Sequence, residues 1–338
     1  MLVCAPMKVT YAELHDQLCK VLLKVGFAPA RAELCARLFA ETTRDGVYSH
    51  GLNRFPRFMT QVKQGVVDIH AEPVRVAQRG AIERWDGRGG PGNLNAHACM
   101  DRAIALAREH GLGCVALANT NHWMRGGSYG WQAVEAGMVG MCWTNTMANL
   151  PAWGAPEPRI GNNPLIIAVP RAKGPVILDM AMSQFSFGAL EGYRKRGEQL
   201  PVEGGFDSAG NLTRDPGAIE ASGRALPIGY WKGSGLSMLL DTLGALLSGG
   251  LATHQITVDV IQETRLSQVF LVFDLPGIDQ EGAREAAIDR IVASVQGPDS
   301  PIAQKLRYPG EKILQVRQQN LAQGIPVDDK IWEQVLAM

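Results

Sequence analysis

The stretch VYSHGLNRFP, residues 47–56, sets Ser49, His50 and Arg54 close together between a glycine and a proline. Histidine is the side chain whose charge changes nearest neutrality, and the planar arginine fork matches a carboxylate. The trio suits a proton donor beside a clamp for an acid. A second histidine, His122, stands in NTNHWMRGGSYGW (119–131), where it follows an apolar run and precedes two glycines and a helical pattern. Side chains at the carboxyl ends of strands face the ligand crevice in α/β proteins. A lone histidine is more often structural. Two in similar polar, glycine-flanked settings favour a shared site, in which Ser49 and His122 bond substrate oxygens.

Other patterns are weighed the same way. Asp179 is one carboxylate in the apolar run of ILDMAMSQFSFG (177–188), and a buried carboxylate needs a partner. A salt bridge, a backbone nest and a cofactor hydroxyl all remain open for it. YWKGSGLSMLL (230–240) places two glycines and Ser234 as if before a helix, a nest for phosphate with Lys232 as a point charge. A tight glycine-permitted helix entry explains it equally well. GRGGPG (87–92) fits G-x-G-x-x-G, but Glu83, Arg84 and Asp86 before it are poor for a buried parallel strand. A plain glycine-rich loop is the better reading. No HExxH, EF-hand loop or dense Cys/His cluster points to a metal, and no G-x-S-x-G to a serine hydrolase.

The elements that must hold these residues alternate in period. TYAELHDQLCKVLLKVGF predicts a helix with a Thr10/Glu13 capping box, Leu14, Leu18, Val21, Leu22 and Val25 inward, and Gly26 as its stop. A second helix runs from about Pro29 to Arg44, and a short one follows the histidine motif. From about residue 75 the chain reads as strands alternating with helices, which predicts an α/β layer with some parallel pairing. VRVAQRGAIERWDG gives two strands around a turn; CVALAN, MVGMCWTNT, NPLIIAVP, PVILDMAMS and SQVFLVFDL give further strands. The last residues are helical again and are expected to pack on the first region. The domains so drawn are 1–75 with about 300–338, helical, and 76–299, α/β.

The bulk numbers limit the partners. The chain has 338 residues, 46% hydrophobic and 20% charged, with 33 basic and 33 acidic side chains. A zero formal charge argues against broad nucleic-acid binding. No run reaches the ~18 apolar residues of a membrane span, and the first residues lack the layout of a signal peptide. Six scattered cysteines without a CxxC pair suit reduced thiols. The expectation is a soluble cytoplasmic protein.

Taken together, SHGLNRFP, NHWMRGGSYGW, GNNPLIIAVP, DMAMS, LPVEGGFDSAGNLTRDP, GYWKGSGLSMLLD and YPGE resemble the type-2 malate/L-lactate dehydrogenase family, in order and spacing, from about Met7 to the C-terminus. The resemblance implies an NAD-dependent reductase of a small-molecule 2-keto acid, NADH or NADPH being the donor. It implies a homodimer with a non-Rossmann, mixed α/β cofactor domain and a helical domain built from both chain ends. It makes His50 the proton donor, while the chemistry of the fork assigns Arg54 to the substrate carboxylate. It also maps cofactor contacts onto Pro175, Val176, Ile177, Leu178, Asp179, Met180 and Ala181, onto Trp231 and Lys232, and onto Gly310, Glu311 and Lys312. A roomier, polar pocket lined by Arg125, Asn145 and Asn149 would suit a larger aldonic acid. The basic turn RAKG (171–174) would bear on the choice between NADH and NADPH.

Overall fold

The structure is a computed structural model that describes residues 7–257, 259, 261–275, 283–297 and 307–338. In chain order the elements are β1 (Lys8–Val9), α1 (Tyr11–Lys24), α2 (Pro29–Arg44), two 3₁₀ turns (Tyr48–His50 and Leu52–Arg54), α3 (Phe55–Lys63), β2 (Val74–Arg79), β3 (Ile82–Asp86), α4 (Gly92–His110), β4 (Leu112–Thr120), α5 (Gly127–Glu135) and β5 (Val139–Thr144). Then come β6 (Leu150–Pro151), β7 (Pro158–Ile160), β8 (Leu165–Val169), β9 (Val176–Met180), α6 (Phe187–Arg196), β10 (Gly205–Phe206), β11 (Leu212–Thr213), α7 (Pro216–Ser222) and α8 (Trp231–Ser248). A third 3₁₀ turn (Thr253–Gln255), β12 (Leu266–Phe273), α9 (Ala283–Gln296), α10 (Glu311–Gln323), β13 (Ile325–Pro326) and α11 (Asp329–Leu336) complete it. Cys4 and the expected domain limit near residue 300 lie outside the described residues.

The main sheet has seven strands in the order β2-β3-β4-β12-β5-β8-β9. Only β3 and β4 run parallel; every other neighbouring pair is antiparallel. Period-two alternation divides its side chains between two cores. Val115, Leu117, Phe270 and Val272 face α4 and α5, whereas Cys114, Ala116 and Val269 face Leu240 of α8 and Leu190 of α6. The mixed sheet is thus covered on both faces. The charges of β3 do not prevent parallel pairing, contrary to the reading from sequence. Glu83 is fully enclosed, but it accepts hydrogen bonds from Arg75, Arg102 and the Trp85 indole. A buried carboxylate is tolerated once its lone pairs are filled.

A third core joins the two chain ends. The capping box forms, with Thr10 Oγ1 accepting the Glu13 N–H at 3.1 Å and Glu13 Oε2 accepting the Thr10 N–H at 2.7 Å. Leu14, Leu18, Val21 and Leu22 are buried as the 3.6-residue period requires; Val25 is only partly so. They pack with Phe39, Phe55 and Phe58 and with Ile325, Trp332 and Val335 from the far end of the chain. β1 pairs with β13, which fixes the two ends in register.

Asp45 ties this core to the sheet. It is buried, one residue past the carboxyl end of α2, where the helix dipole disfavours an anion. Arg44 Nε donates to it at 2.9 Å, Arg125 Nη1 at 2.7 Å, and Arg317 Nε and Nη2 at 2.8 and 2.7 Å. These arginines belong to α2, the β4–α5 connection and α10. Burial alone would raise the carboxyl pKa, but the bonds and charges of Arg317, Arg125 and Arg44 hold it down to about 2. The folded value lies below the ordinary 3.8, so this stabilisation is complete above that pH and is lost as pH falls towards 2. Asp45→Asn should cost ~3–5 kcal/mol at neutral pH, because three guanidinium groups lose their shared anion. Thermal unfolding checks this, with the gap to wild type narrowing between pH 4 and 2.

Candidate active site

His50 and Arg54 do not lie on one α-helical turn. Two 3₁₀ turns meet at Gly51 instead. The reason lies in α2. A Cβ at Gly51 would stand 2.3 Å from Thr43 Oγ1 and 2.8 Å from Thr43 N, so only glycine permits this approach. Thr43 Oγ1 in turn accepts the Leu52 N–H at 2.8 Å. The turn is therefore fastened to the buried face of α2. Ser49 Oγ lies 3.0 Å from His50 Nδ1, which leaves Nε2 as the outward nitrogen. Ser49 also packs against α6, where a Cβ on Gly188 would be 2.8 Å from that of Ser49.

The structure brings His50 and His122 together. Their rings stack with centroids 5.8 Å apart and planes 19° from parallel. His122 Nδ1 accepts the Met124 N–H at 3.0 Å, so in the neutral ring the hydrogen sits on Nε2. Burial pushes the His50 pKa down to about 3, helped by the cations Arg54 and Arg125. Burial likewise drives His122 well below its ordinary value, with Arg54, His50 and Arg57 adding to it. Burial brings Arg54 itself down to about 10, with Arg57 pushing the same way and Glu263 opposing. The charges acting on the two rings are cationic. Such a place attracts an anion.

The mapped cofactor residues gather along β9, the last strand of the sheet. Leu178 lies on its middle turn of chain, and Ile177 N–H donates outward to Pro309 O at 2.9 Å. By the period of a strand the polar groups of Asp179 and Ala181 face the same way, with no strand paired there among the described residues. Pro175 and Val176 begin this edge. Gly310 adopts φ +92°, and a Cβ there would be 3.1 Å from Ile177 N, so the entry to α10 with Glu311 and Lys312 lies directly on β9. At the other end, beyond Met180, Met182 O accepts the Ile228 N–H at 2.8 Å, which brings the start of α8 with Trp231 and Lys232 to this side. Asp179 Oδ2 accepts the Gly127 N–H at 3.0 Å and lies 4.0 Å from Arg125 Nε. Burial raises its pKa against the pull of Arg125 and Gly127, although about a third of the side chain (33%) stays open to solvent.

These residues fit a nicotinamide dinucleotide. Glu311 Oε2 is buried without a partner among the described residues, an acceptor suited to a ribose hydroxyl or an amide N–H. The open edge of β9 offers further donors and acceptors beside it.

Two readings of glycine-rich segments are decided, and one expectation, the polar pocket, is corrected. The glycines of YWKGSG do not precede a helix, because α8 already begins at Trp231 and Gly233 packs on Ile228. Ser234 Oγ is engaged by the Trp153 N–H at 2.7 Å. No phosphate nest forms there. In GRGGPG a Cβ on Gly92 would be 2.2 Å from Asn121 O, so this turn seals against the end of β4. Arg125 is held by Asp45. Asn145 bonds Asp241, Leu251 and Ser267, and Asn149 bonds Asn162. All three serve the scaffold rather than a pocket. Asp45 and the Gly188–Ser49 contact were missed. An acid at the carboxyl end of a helix was the available signal for Asp45.

Comparison with known proteins agrees with this geometry. The malate/L-lactate dehydrogenase family profile matches residues 9–336. A 2,3-diketo-L-gulonate reductase of Citrobacter koseri is 48% identical over 336 residues, 98% of this chain and 100% of that protein. Among solved structures, the Δ1-piperideine-2-carboxylate reductase of Pseudomonas syringae pv. tomato is 29% identical with TM-score 0.86, covering 98% of this chain and 99% of that one. The sulfolactate dehydrogenase of Methanocaldococcus jannaschii is 25% identical with TM-score 0.90, covering 97% and 95%.

Gly51→Ala tests whether the close approach to α2 places the histidine. The added Cβ must move the turn, and a shift of about an ångström costs up to ~10²-fold in turnover. Steady-state rates compared with melting temperature check it; turnover equal to wild type would show that His50 does not depend on Gly51.

Proposed function

This chain belongs to the malate/L-lactate dehydrogenase family and is an oxidoreductase of hydroxy and keto acids, and we propose that it reduces the C2 keto group of 2,3-diketo-L-gulonate to 3-keto-L-gulonate with NADH. The observation that carries the chemistry is the stacked His50–His122 pair among cations, beside the open edge of β9. The substrate rests on the full-length similarity to the Citrobacter koseri enzyme.

The nicotinamide, when bound, supplies hydride to the carbonyl carbon. Charge then grows on the carbonyl oxygen, and His50 Nε2 is the nitrogen left free to protonate it. His50 is neutral in the free chain because burial, Arg54 and Arg125 disfavour its charged form. An acid bound with its carboxylate on Arg54 offsets those cations and gives the imidazolium an anionic neighbour that opposes the effect of burial. Substrate binding therefore raises the His50 pKa and loads the donor. His122 Nε2–H bonds a substrate oxygen, and Ser49 orients His50 through Nδ1. Pro175 to Ala181, Trp231, Lys232 and Gly310 to Lys312 hold the cofactor, with NADP as the alternative to NAD.

The similarity to a Δ1-piperideine-2-carboxylate reductase favours cyclic imine acids as the next substrate class, ahead of malate, lactate or ureidoglycolate. A sensor that binds without turnover needs no titrating group at His50. We read the protein as cytoplasmic and homodimeric. The outer face of α8 exposes Trp231, Met238, Leu239, Leu243 and Leu246, with Leu246 65% accessible, which suits a second copy of the chain.

NADH oxidation followed by absorbance, with 2,3-diketo-L-gulonate, pyruvate, oxaloacetate and Δ1-piperideine-2-carboxylate, tests the reading. Turnover confined to diketogulonate supports it, turnover of another acid reassigns the substrate, and none with any acid favours the sensor. His50→Asn should lower turnover by ~10²–10⁴-fold while cofactor affinity is kept. In calorimetry at neutral pH, oxamate binding to the NADH complex should take up a proton in wild type and none in the variant. Leu246→Asp with Met238→Asp should convert a dimer to monomer in light scattering; an unchanged mass would place the interface elsewhere.

A further inference from the structure

The turn RAKG between β8 and β9 carries two cations, yet the structure does not leave them free. Arg171 Nε donates to Asp289 Oδ1 at 2.7 Å, and Lys173 Nζ to Asp289 Oδ2 at 2.6 Å. Glu285, one helical turn before Asp289 on α9, accepts the Ala172 N–H at 3.3 Å. Two basic side chains thus meet two carboxylates, and the turn is close to neutral. The Arg171 guanidinium also lies over the Tyr308 ring at 5.2 Å, and a Cβ on Gly174 would be 2.9 Å from the Tyr308 hydroxyl. Tyr308 leads directly into Gly310–Lys312.

This clasp stands at one end of β9, and the histidines stand towards the other. Gly188, a few residues beyond β9, touches Ser49 next to His50, whereas Gly174, just before β9, touches Tyr308. Five strand residues span ~13 Å from first to last. A dinucleotide laid along the edge with its reacting ring at the histidines has its adenosine end at the clasp. The group that distinguishes NADPH from NADH is a phosphate on that adenosine's ribose, carrying ~2 negative charges. Cations with unfilled charge welcome such a phosphate, and a carboxylate nearby favours the free hydroxyl.

We propose that Asp289, by engaging Arg171 and Lys173, makes this chain select NADH over NADPH. The inference rests on the proposed placement of the cofactor along β9. The carboxylate acts twice, occupying both donors and repelling the phosphate. Removing its charge leaves Arg171 and Lys173 to the phosphate without altering what a ribose hydroxyl meets on β9.

The test is dinucleotide affinity, measured by calorimetry on the full-length protein with NADH and with NADPH. Asp289→Asn should tighten NADPH binding by ~10-fold, the effect of one unit charge at a partly exposed site, and leave NADH unchanged. Adding Lys173→Ala to that variant should weaken NADPH again, and Asp289→Glu should keep the wild-type preference. If Asp289→Asn fails to fold, Glu285→Gln replaces it and should shift the ratio in the same direction. Wild type that prefers NADH, with a ratio unmoved by these substitutions, overturns the role of Asp289 alone. Wild type that prefers NADPH, or binds neither dinucleotide, overturns the cofactor reading and the proposal with it.

Discussion

Asp45 is the contact on which the arrangement depends. One enclosed carboxylate accepts from three guanidinium groups that are far apart in sequence, so the helical core, the β4–α5 connection and α10 meet at a single charge. His50 follows it by five residues on a turn fastened to α2, and Arg125 reaches from it towards Asp179 on β9. The same ion cluster therefore fixes the proton-bearing side chains relative to the strand that would carry a cofactor. Neither half of the fold holds a complete site alone. Hydrophobic residues of similar volume in place of the whole cluster would preserve stability, as for other buried ion pairs, but they would not set those directions.

The electrostatics of the site follow from an imbalance that the cluster leaves behind. Arg54, Arg57 and Arg125 all act on the histidine pair, while Asp45 spends its lone pairs on the scaffold. Water could balance these cations in an open site, but the rings are largely withdrawn from it. The result is two neutral imidazoles among cations, of which Arg125 is paired with Asp45 and Arg57 lies 3.9 Å from Glu263. In the proposed mechanism a keto acid places its carboxylate on Arg54. In that mechanism binding and loading the proton donor would be one event, and a molecule without a carboxylate would leave His50 neutral.

Much of the fold was legible locally. Thr10, Glu13, Gly26 and Pro29 act within a few residues, and their helices begin and end where those residues predict. The alternation around 75–180 also gave the strands. What could not be read depends on distant partners. Glu83 looked wrong for a parallel strand because Arg102 arrives from α4, and the glycines of α8 looked like a nest because their neighbour Ile228 is seen only in three dimensions. Arg125 has the chemistry of a substrate ligand, yet Asp45 claims it from eighty residues away. The motif around His50 was legible as chemistry, but its geometry was not: Gly51 reports on Thr43, which nothing in the spacing of SHGLNR reveals.

The two edges of the sheet show how the fold separates a hazard from a site. A bare strand edge invites pairing with other chains. β2, at one edge, is short, fully exposed and marked by Arg75 and Arg79, a charged rim that discourages such pairing. β9, at the other, has only Asp179 among apolar residues and would be the more dangerous of the two. Yet it is blocked at one end by Pro309 and Gly310 and narrowed at the other by the chain from Met182 to Ile228. Among the described residues, what remains is a short stretch of strand donors and acceptors, a buried carboxylate oxygen on Glu311 with no partner, and the histidine pair towards one end. In the proposed reading this stretch takes an extended dinucleotide. Among the described residues, the edge that pairs with no strand is thus also the one that the adjoining loops crowd.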